Sequence, residues 1–430
     1  MRLLPLALLL PELLTAQTKV LVIGDSLSAE YEYSTPFSAP DSDELDANTL
    51  NWIEILDQER DTEIDFGSES THGDLRAAGF KYNWGIPGGE TDVWEDVFQA
   101  EFDLFDLEEL FLYNSQQELL SQLDNVHIAV ILLGGNDIRK VYKDLYDNTP
   151  PAGFPSGIIN RYTYILDELR DKRPDLPLVI VNVPELGATP DIQESRPDPA
   201  KRAIATTYIE TLNTQLAAVA TTYNAQLVDF FSQTSAIITT DPYYIGSQQM
   251  IKSYDPENPP TYLFCKLKFH PASGLQAQLA NITVDGINAK LGTSITTIPD
   301  REILSDVLGL NPDQAFLDWT ATYPGTTPTF LSDDDADTLN ALAEMALGTN
   351  PLVSNPPPAL QPNGPTWQLT FTPDPTASRF VQTIPEESTN LQLWTPIPPA
   401  RLTTLPDGTI EATLLPGSET YSRLRFPLSP

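Results

Sequence analysis

The chain has 430 residues and carries 60 Asp and Glu against 24 Lys and Arg, a formal net charge of -36. Nucleic acids and anionic membranes bind proteins through Lys and Arg that neutralise phosphates, so this balance excludes both as expected partners. The single cysteine, Cys265, excludes an intrachain disulfide framework and a cysteine-based zinc site.

Residues 1–17 have the pattern of a secretory signal peptide. Arg2 precedes a leucine-rich run, and the small residue Ala16 stands where such a peptide is cleaved. The run is too short to span a bilayer, and no later stretch reaches about 18 uninterrupted apolar residues. We therefore expect a secreted, periplasmic or extracellular protein without a transmembrane segment.

Four short apolar runs predict buried strands, and helical patterns lie between them. The runs cover residues 19–23, 127–133, 178–183 and 225–230, and the clearest helices cover 158–172 and 200–223. Buried strands joined by helices predict a parallel sheet covered on both faces. Ligands of such sheets bind beyond the carboxyl ends of the strands, where Ser26, Asn136 and the loop after Pro184 are expected.

The composition changes after about residue 295. We predict a linker with an acidic segment over 296–358 and a small β-sandwich-like domain over 359–430. The strands of this domain are predicted from alternating patterns at 367–371, 390–394, 409–414 and 421–426.

The acidic segment has the oxygen-ligand spacing of an EF-hand-type calcium loop. Asp333, Asp335 and Asp337 alternate, and Glu344 stands at the twelfth position. Thr338 replaces the glycine of that loop, and Ala341 replaces its ninth ligand. The segment resembles thrombospondin-3-like segments that precede terminal β modules in some secreted bacterial proteins. Either it binds Ca²⁺ or it is a solvated, acidic helix start.

The residues that can carry chemistry begin with Ser26. A lone serine after a strand is often a helix N-cap rather than a nucleophile. Acyl transfer needs a nucleophile, a base and donors for the oxyanion. Ser26 can supply the nucleophile and His270 the base. The N–H groups of Ser26 and Gly88 and the Asn136 side chain can donate to the oxyanion.

These elements, in this order, resemble the SGNH (GDSL) hydrolase family over roughly residues 18–295. The matching blocks are Gly24 to Leu27, Asn83 to Gly88, Gly134 to Asp137, and His270-Pro271. The family's blocks contribute the catalytic Ser, the oxyanion Gly, the oxyanion Asn and the catalytic His, although Gly89 is an alternative to Gly88 here. The resemblance implies a flavodoxin-like, three-layer α/β/α fold with a parallel sheet. It also implies ester hydrolysis without a required cofactor.

One family residue is missing. The family commonly has an acid three residues before its histidine, but this chain has Leu267 there. A buried acid fixes the imidazole tautomer and stabilises its cation. Without it, His270 is oriented by a backbone carbonyl, by a carboxylate from elsewhere such as Asp255, or poorly. We favour a Ser–His dyad with carbonyl support.

Neighbouring residues allow further interpretations. Asp25 and Asp137 form either an acid/base pair of the glycosidase kind or a pair of supporting carboxylates that shape loops, which we favour. Cys265 is either a thiol nucleophile paired with His270 or a small buried residue, which we favour. His72 and His127 are expected to have no catalytic role.

The sequence thus predicts a monomeric, secreted serine esterase. Its substrate is a small ester, an acylated sugar or a lipid. The alternative is a catalytically impaired carbohydrate-binding or cell-surface attachment protein. In either case, the C-terminal β domain is a candidate for contact with glycans or a cell surface.

Overall fold

A computed structural model of the chain describes residues 17–31, 49–76, 78–257, 259–327, 329–358, 360–364, 366–414 and 421–430. The predicted signal peptide therefore lies outside the described residues, apart from Gln17. The chain divides into two compact units. The first comprises Met1–Tyr243 with Met250–Ile298, and the second comprises Tyr244–Gln249 with Pro299–Pro430.

The elements up to Ile298 alternate between strands and helices. The strands are β1 (Thr18–Gly24), β2 (Ile64–Asp65), β3 (Glu69–Thr71), β4 (Ala78–Phe80), β5 (Asn83–Gly85), β6 (Ile128–Leu132), β7 (Leu178–Val181), β8 (Gln226–Val228), β9 (Tyr243–Ile245), β10 (Gln248–Tyr254) and β11 (Tyr262–Phe264). The helices are α1 (Trp52–Arg60), α2 (Thr91–Gln99), α3 (Leu107–Gln122), α4 (Gly135–Tyr146), α5 (Ser156–Lys172), α6 (Pro190–Ser195), α7 (Pro199–Thr222), α8 (Phe230–Thr239) and α9 (Ser273–Leu291).

The main sheet is parallel, with strand order β2-β1-β6-β7-β8, and β5 also pairs with β1. The four apolar runs predicted as buried strands correspond to β1, β6, β7 and β8, which confirms them. β2 and β5 were not predicted because two or three residues are too few to show a pattern. The register aligns Gly24 with Leu132, which brings the loops after β1 and β6 to the same edge of the sheet.

Helices cover both faces of this sheet, because successive strand residues point to opposite sides. On one side, Ile131 and Ile180 share a core with residues of α2 to α5 and α7. On the other side, α9 packs on β7 and β8, where Gly286 lies against Val179 and Val228. α1 packs against α9 on that side. The predicted three-layer α/β/α fold is therefore confirmed.

The second unit contains helices as well as strands. The helices are α10 (Asp300–Glu302), which continues into a π-helical turn at Ile303–Val307, α11 (Gln314–Ala321) and α12 (Ala341–Leu347). The strands are β12 (Leu360–Asn363), β13 (Thr366–Phe371), β14 (Ile384–Ser388), β15 (Thr395–Pro396), β16 (Leu402–Thr404), β17 (Ile410–Thr413) and β18 (Tyr421–Arg425). They form two antiparallel sheets, β12-β13-β17-β16 and β15-β14-β18. The predicted all-β character of the C-terminal strands is confirmed.

Two features of this unit differ from the prediction. Residues 390–394 are not a strand, because the Asn390 side-chain Oδ1 accepts hydrogen bonds from the Gln392 and Leu393 amides and bends the chain. The segment predicted as a linker is folded into the unit. There, Phe316 of α11 and Met345 of α12 share a core with Phe380.

Within the described residues, no helix is long and apolar enough to cross a membrane.

Candidate active site

The loop after β1 presents Ser26. The Asp25 carboxylate accepts a hydrogen bond from the Leu27 amide at 2.9 Å, and the Asp25 carbonyl accepts from the Ser28 and Ala29 amides at 3.0 Å. Asp25 therefore takes the capping role of this short turn, which was one of the roles considered for Ser26. The Ser26 side chain is left to face its neighbours across the sheet edge.

His270 lies in a short loop between β11 and α9 that is tied at several points. The Cys265 amide donates to the His270 carbonyl at 2.9 Å, and the Ala272 amide donates to the Leu263 carbonyl at the same distance. The Tyr31 hydroxyl donates to the Pro271 carbonyl at 3.1 Å. These bonds hold the backbone of His270 in a defined position.

Ser26 and His270 meet. The Ser26 Oγ lies 2.8 Å from the His270 Nε2, within hydrogen-bond distance. His270 is buried, and burial lowers the pKa of its imidazole to about 4, with a further lowering by the positive charge of Arg139. At neutral pH the ring is therefore uncharged, which is the form that can accept a proton from Ser26.

Aromatic side chains pack around the imidazole. The rings of Tyr31 and Phe269 stand edge-on to it, with centroids 6.4 Å and 5.4 Å away. The Arg139 guanidinium lies over the Phe269 ring at 4.1 Å. Packing therefore restricts the orientation of the His270 ring.

The position of the missing acid faces solvent. Leu267 is 42% exposed, in a turn where the Lys268 amide donates to the Cys265 carbonyl. Asp255, considered as a substitute acid, accepts a hydrogen bond from the Glu257 amide at 2.9 Å. The dyad with carbonyl support stays a prediction.

Asn136 lies in the first turn of α4, close to the Ser26 loop. The left-handed backbone of Gly134, with φ +103°, turns the chain from β6 into this helix. The Asn136 Nδ2 lies 3.3 Å from the Asp25 carboxylate and 3.3 Å from the Gly89 carbonyl, and it donates to both. Its amide therefore faces the same sheet edge as Ser26.

Gly88 is exposed and has a left-handed backbone, with φ +77°. A Cβ placed on Gly88 would have no atom within 4 Å, so there is room for a side chain here. Glycine is needed because other residues rarely adopt this left-handed conformation. The alternative donor, the Gly89 amide, already donates to the Ile86 carbonyl at 2.9 Å. Of the two glycines, this geometry favours Gly88 as the oxyanion donor.

Asp25 and Asp137 are both buried and both hydrogen-bonded. Asp137 accepts from the Thr91 amide at 2.9 Å and the Thr91 hydroxyl at 2.6 Å, and it pairs with Arg161 at 3.4 Å. Burial raises the pKa of Asp25 to about 7; the Leu27 amide opposes the rise, and the nearby Asp137 charge adds to it. These contacts fit the supporting role that we favoured for both residues.

An apolar cavity of about 40 Å³ opens beside Ser26 and Asn136. Its apolar lining includes Leu27, Leu186, Ala188, Phe230, Phe264, Phe269 and Leu275. The sequence analysis missed most of these residues, because they come from separate loops and helices that only the fold brings together. Only the loop after Pro184 was anticipated, from the rule for the ends of parallel strands.

The remaining candidates lie outside this arrangement or serve packing. Cys265 is buried, and its Sγ contacts the Pro271 carbonyl oxygen at 3.2 Å, as expected of a packed thiol. The His72 ring contacts the Gly79 carbonyl at 3.0 Å, and the His127 Nδ1 accepts from the Lys19 amide at 2.9 Å.

The candidate metal ligands lie in the second unit. Asp333, Asp335 and Asp337 each offer a carboxylate oxygen, and these oxygens lie within 4.8 Å of one another. Glu344 is fully buried at the start of α12.

Residues 22–273 match the model of the GDSL-like Lipase/Acylhydrolase family, over more than half of the chain. The chain belongs to this family. It is therefore a hydrolase that acts on ester bonds, as the resemblance implied. No curated protein sequence matches it.

Several solved structures are similar to the chain. A proposed acylhydrolase from Bacteroides fragilis NCTC 9343 is 15% identical, with a TM-score of 0.32, over 63% of this chain and 87% of that one. A proposed GDSL-like lipase from Parabacteroides merdae ATCC 43184 is 14% identical, with a TM-score of 0.37, over 64% and 98%. A family 3 carbohydrate esterase from Clostridium thermocellum is 12% identical, with a TM-score of 0.32, over 65% and 100%.

Proposed function

We propose that the protein is a secreted serine esterase that hydrolyses esters of short carboxylic acids through a Ser26 acyl-enzyme. The observation that carries this proposal is the 2.8 Å contact between the Ser26 Oγ and the His270 Nε2. A nucleophile within hydrogen-bond reach of an uncharged base is the minimal arrangement for acyl transfer. The same contact favours an active enzyme over the impaired binding protein.

In the first half of the reaction, the Ser26 Oγ attacks the ester carbonyl carbon while its proton moves to the His270 Nε2. The oxyanion that forms accepts hydrogen bonds from the Ser26 and Gly88 amides and the Asn136 side chain. When the tetrahedral intermediate collapses, His270 gives the proton to the departing alcohol oxygen, and the acyl group stays on Ser26.

In the second half, His270 takes a proton from a water molecule that attacks the acyl-enzyme carbonyl. The same donors hold the second oxyanion. Collapse breaks the ester bond to Ser26, His270 returns the proton to the Ser26 Oγ, and the carboxylic acid leaves. Since His270 is uncharged at neutral pH, it is ready to act as the base in both halves.

The size of the cavity limits the acyl group. A cavity needs a volume of about 10–15 Å³ to hold one water molecule. The cavity of about 40 Å³ beside Ser26 therefore has room for roughly three heavy atoms. Its walls are mainly apolar, and burying an alkyl chain there is favourable. An acetyl or propionyl group fits this space, and a longer chain extends beyond it.

Labelling with a fluorophosphonate probe tests the nucleophile. We expect the purified chain to be labelled and Ser26→Ala to be unlabelled, with turnover of p-nitrophenyl acetate reduced by at least about 10³-fold. Cys265→Ala is the matched control, because it removes the other nucleophile near His270, and it should keep both labelling and turnover. Undiminished turnover in Ser26→Ala with a native circular dichroism spectrum would refute the proposal.

A series of p-nitrophenyl esters tests the acyl group. We expect kcat/KM to fall by at least about 100-fold from acetate to octanoate, because the octanoyl chain is longer than the cavity. Leu186→Ala, which enlarges the cavity at a loop, should reduce this ratio. Equal rates along the series would contradict the short-acyl assignment and leave the Ser26 mechanism intact.

The export proposal rests on residues 1–17. N-terminal sequencing of protein recovered from the medium or periplasm is expected to begin near residue 18. Retention of the full chain in the cytoplasm would contradict it.

A further inference from the structure

The second unit contains a group of carboxylates that the esterase chemistry does not use. Oxygens of Asp333, Asp335 and Asp337 lie within 4.8 Å of one another. A calcium ion holds each ligand oxygen at about 2.3–2.6 Å, so two ligands on opposite sides of one ion are about 4.6–5.2 Å apart. The three oxygens are therefore close enough to share one ion.

Glu344 adds an observation independent of this proximity. Its side chain is fully buried, and within the described residues neither of its carboxylate oxygens has a hydrogen-bond partner. Asp335 Oδ2 is also buried without a partner there. Buried carboxylates normally have donors or a cation as partners, because leaving one alone is strongly unfavourable.

The Glu344 carboxylate lies within electrostatic range of the three aspartates. Burial raises its pKa to about 7, and repulsion from Asp335, Asp337 and Asp333 contributes to the rise. In the described part of the chain, no Lys or Arg forms an ion pair with any of these four side chains. The described residues therefore supply negative charge at this point without a matching positive charge.

Backbone amides hold the carboxylates of Asp333 and Asp337 in place. The Asp333 carboxylate accepts from the Asp337 and Thr338 amides, both at 3.1 Å, and the Asp337 carboxylate accepts from the Asn355 amide at 2.6 Å. Thr338 has φ +83°, the left-handed conformation that the glycine at this position of an EF-hand loop supplies.

Helix α12 holds Glu344 near the loop. Asn340 caps the helix, because its side-chain oxygen accepts a 2.9 Å hydrogen bond from the Ala343 amide. Met345 and Ala346 pack with Phe316 and Phe380. The packing of these two residues fixes the helix turn that carries the buried Glu344.

We propose that Asp333, Asp335, Asp337 and Glu344 bind one calcium ion, and that this ion stabilises the packing of α12 in the second unit. Four carboxylates with no nitrogen or sulfur ligand suit a hard cation, and their irregular arrangement suits calcium better than the strict octahedron of magnesium. The ion supplies the positive charge that Glu344 lacks.

Calorimetry on the full chain, stripped with a chelator and titrated with CaCl₂, tests the proposal. We expect saturable binding of one ion with a dissociation constant below 1 mM, in the range known for extracellular calcium sites. MgCl₂ should bind at least about tenfold more weakly. Hydrogen–deuterium exchange should slow on addition of calcium in peptides covering residues 330–347.

Variants separate this site from the many other acidic residues. Asp335→Asn and Glu344→Gln should each weaken calcium binding by at least about tenfold and remove the protection of residues 330–347. Asp334→Asn is the matched control, because Asp334 is exposed and an Asn oxygen can keep its bond from the Thr327 amide. Asp335→Asn alters only the loop, so it remains informative if Glu344→Gln fails to fold. Unchanged binding in Asp335→Asn, or no saturable binding by the parent chain, would overturn the proposal.

Discussion

Two pairs of carboxylates in this chain have oxygens that are shielded from water, but the hydrogen-bond partners of these oxygens differ. Asp25 and Asp137, beside the candidate active site, accept hydrogen bonds from Leu27, Asn136 and Thr91. Asp335 and Glu344, in the second unit, include oxygens with no partner among the described residues. The described residues supply hydrogen-bond donors to the first pair, whereas they supply none to these oxygens of the second pair. Burial alone therefore does not tell a structural acid from a ligand.

The largest expected effect comes from removing Asp137. Asp137→Ala leaves the Thr91 amide without its acceptor and removes the carboxylate partner of the partly buried Arg161, so we expect a loss of about 2–4 kcal/mol in the free energy of unfolding. Urea unfolding measures it. The loss should be the same in calcium and in chelator, because the chain itself supplies every partner of Asp137. Asp137→Asn, which keeps one acceptor, should lose less. A loss below about 1 kcal/mol would contradict this account.

In chelator, Glu344→Gln is expected to stabilise the protein, whereas Asp137→Ala destabilises it. Removing a buried charge beside three aspartates relieves repulsion, so we expect the Tm in chelator to rise by about 2–4 °C. The same variant should lose the gain in Tm that calcium gives the parent chain. Thermal unfolding followed by circular dichroism, with and without calcium, measures both. A lower Tm in chelator would show that Glu344 has a partner within the protein.

A smaller effect is expected in the pH dependence of kcat/KM, which reports the lowered pKa of the His270 imidazole. Because the pKa of His270 is lowered to about 4, the base is uncharged above that pH and protonated below it. We expect kcat/KM to fall as the pH drops through about 4, and to be level from pH 5 to 6 as far as His270 alone determines it. Arg139→Gln removes the smaller of the two causes, so the midpoint should rise by less than about 1 pH unit. A midpoint near 6.5 in the parent enzyme would contradict the buried, uncharged base.

The smallest effect is expected where the family acid is absent. Because Leu267 is largely in solvent, Leu267→Asp places a carboxylate that does not become buried beside the imidazole. We expect kcat/KM to change by less than about threefold, with Leu267→Asn as the uncharged control. A gain of tenfold or more in the aspartate variant alone would show that an acid at this position reaches His270.

Much of the hydrolase fold was predictable because its strands are continuous apolar runs. The runs at β1 and β6 end in Gly24 and Gly134, and the rule that parallel strands share one functional edge places Ser26 near Asn136. His270 was singled out by its motif, and the structure places it against Ser26. Family membership then followed from the same motifs.

The rest depends on contacts between residues distant in sequence. No local pattern shows that Arg139 lies over Phe269 beside the imidazole, or that Phe230 and Leu275 enclose a small cavity. The acidic spacing indicated ligands, but only the packing of α12 shows that Glu344 is buried. The strand predicted at residues 390–394 was wrong, since the Asn390 side chain competes locally for backbone amides.

The resting contacts of Asn136 bear on the timing of the proposed reaction. Its amide donates to the Asp25 carboxylate and the Gly89 carbonyl at 3.3 Å, longer than the usual 2.9–3.0 Å. These long bonds keep the amide oriented before substrate arrives, yet little binding enthalpy is lost when it turns to a developing oxyanion. In the proposed mechanism, the oxyanion of the transition state thus replaces two long hydrogen bonds of this amide with a stronger one.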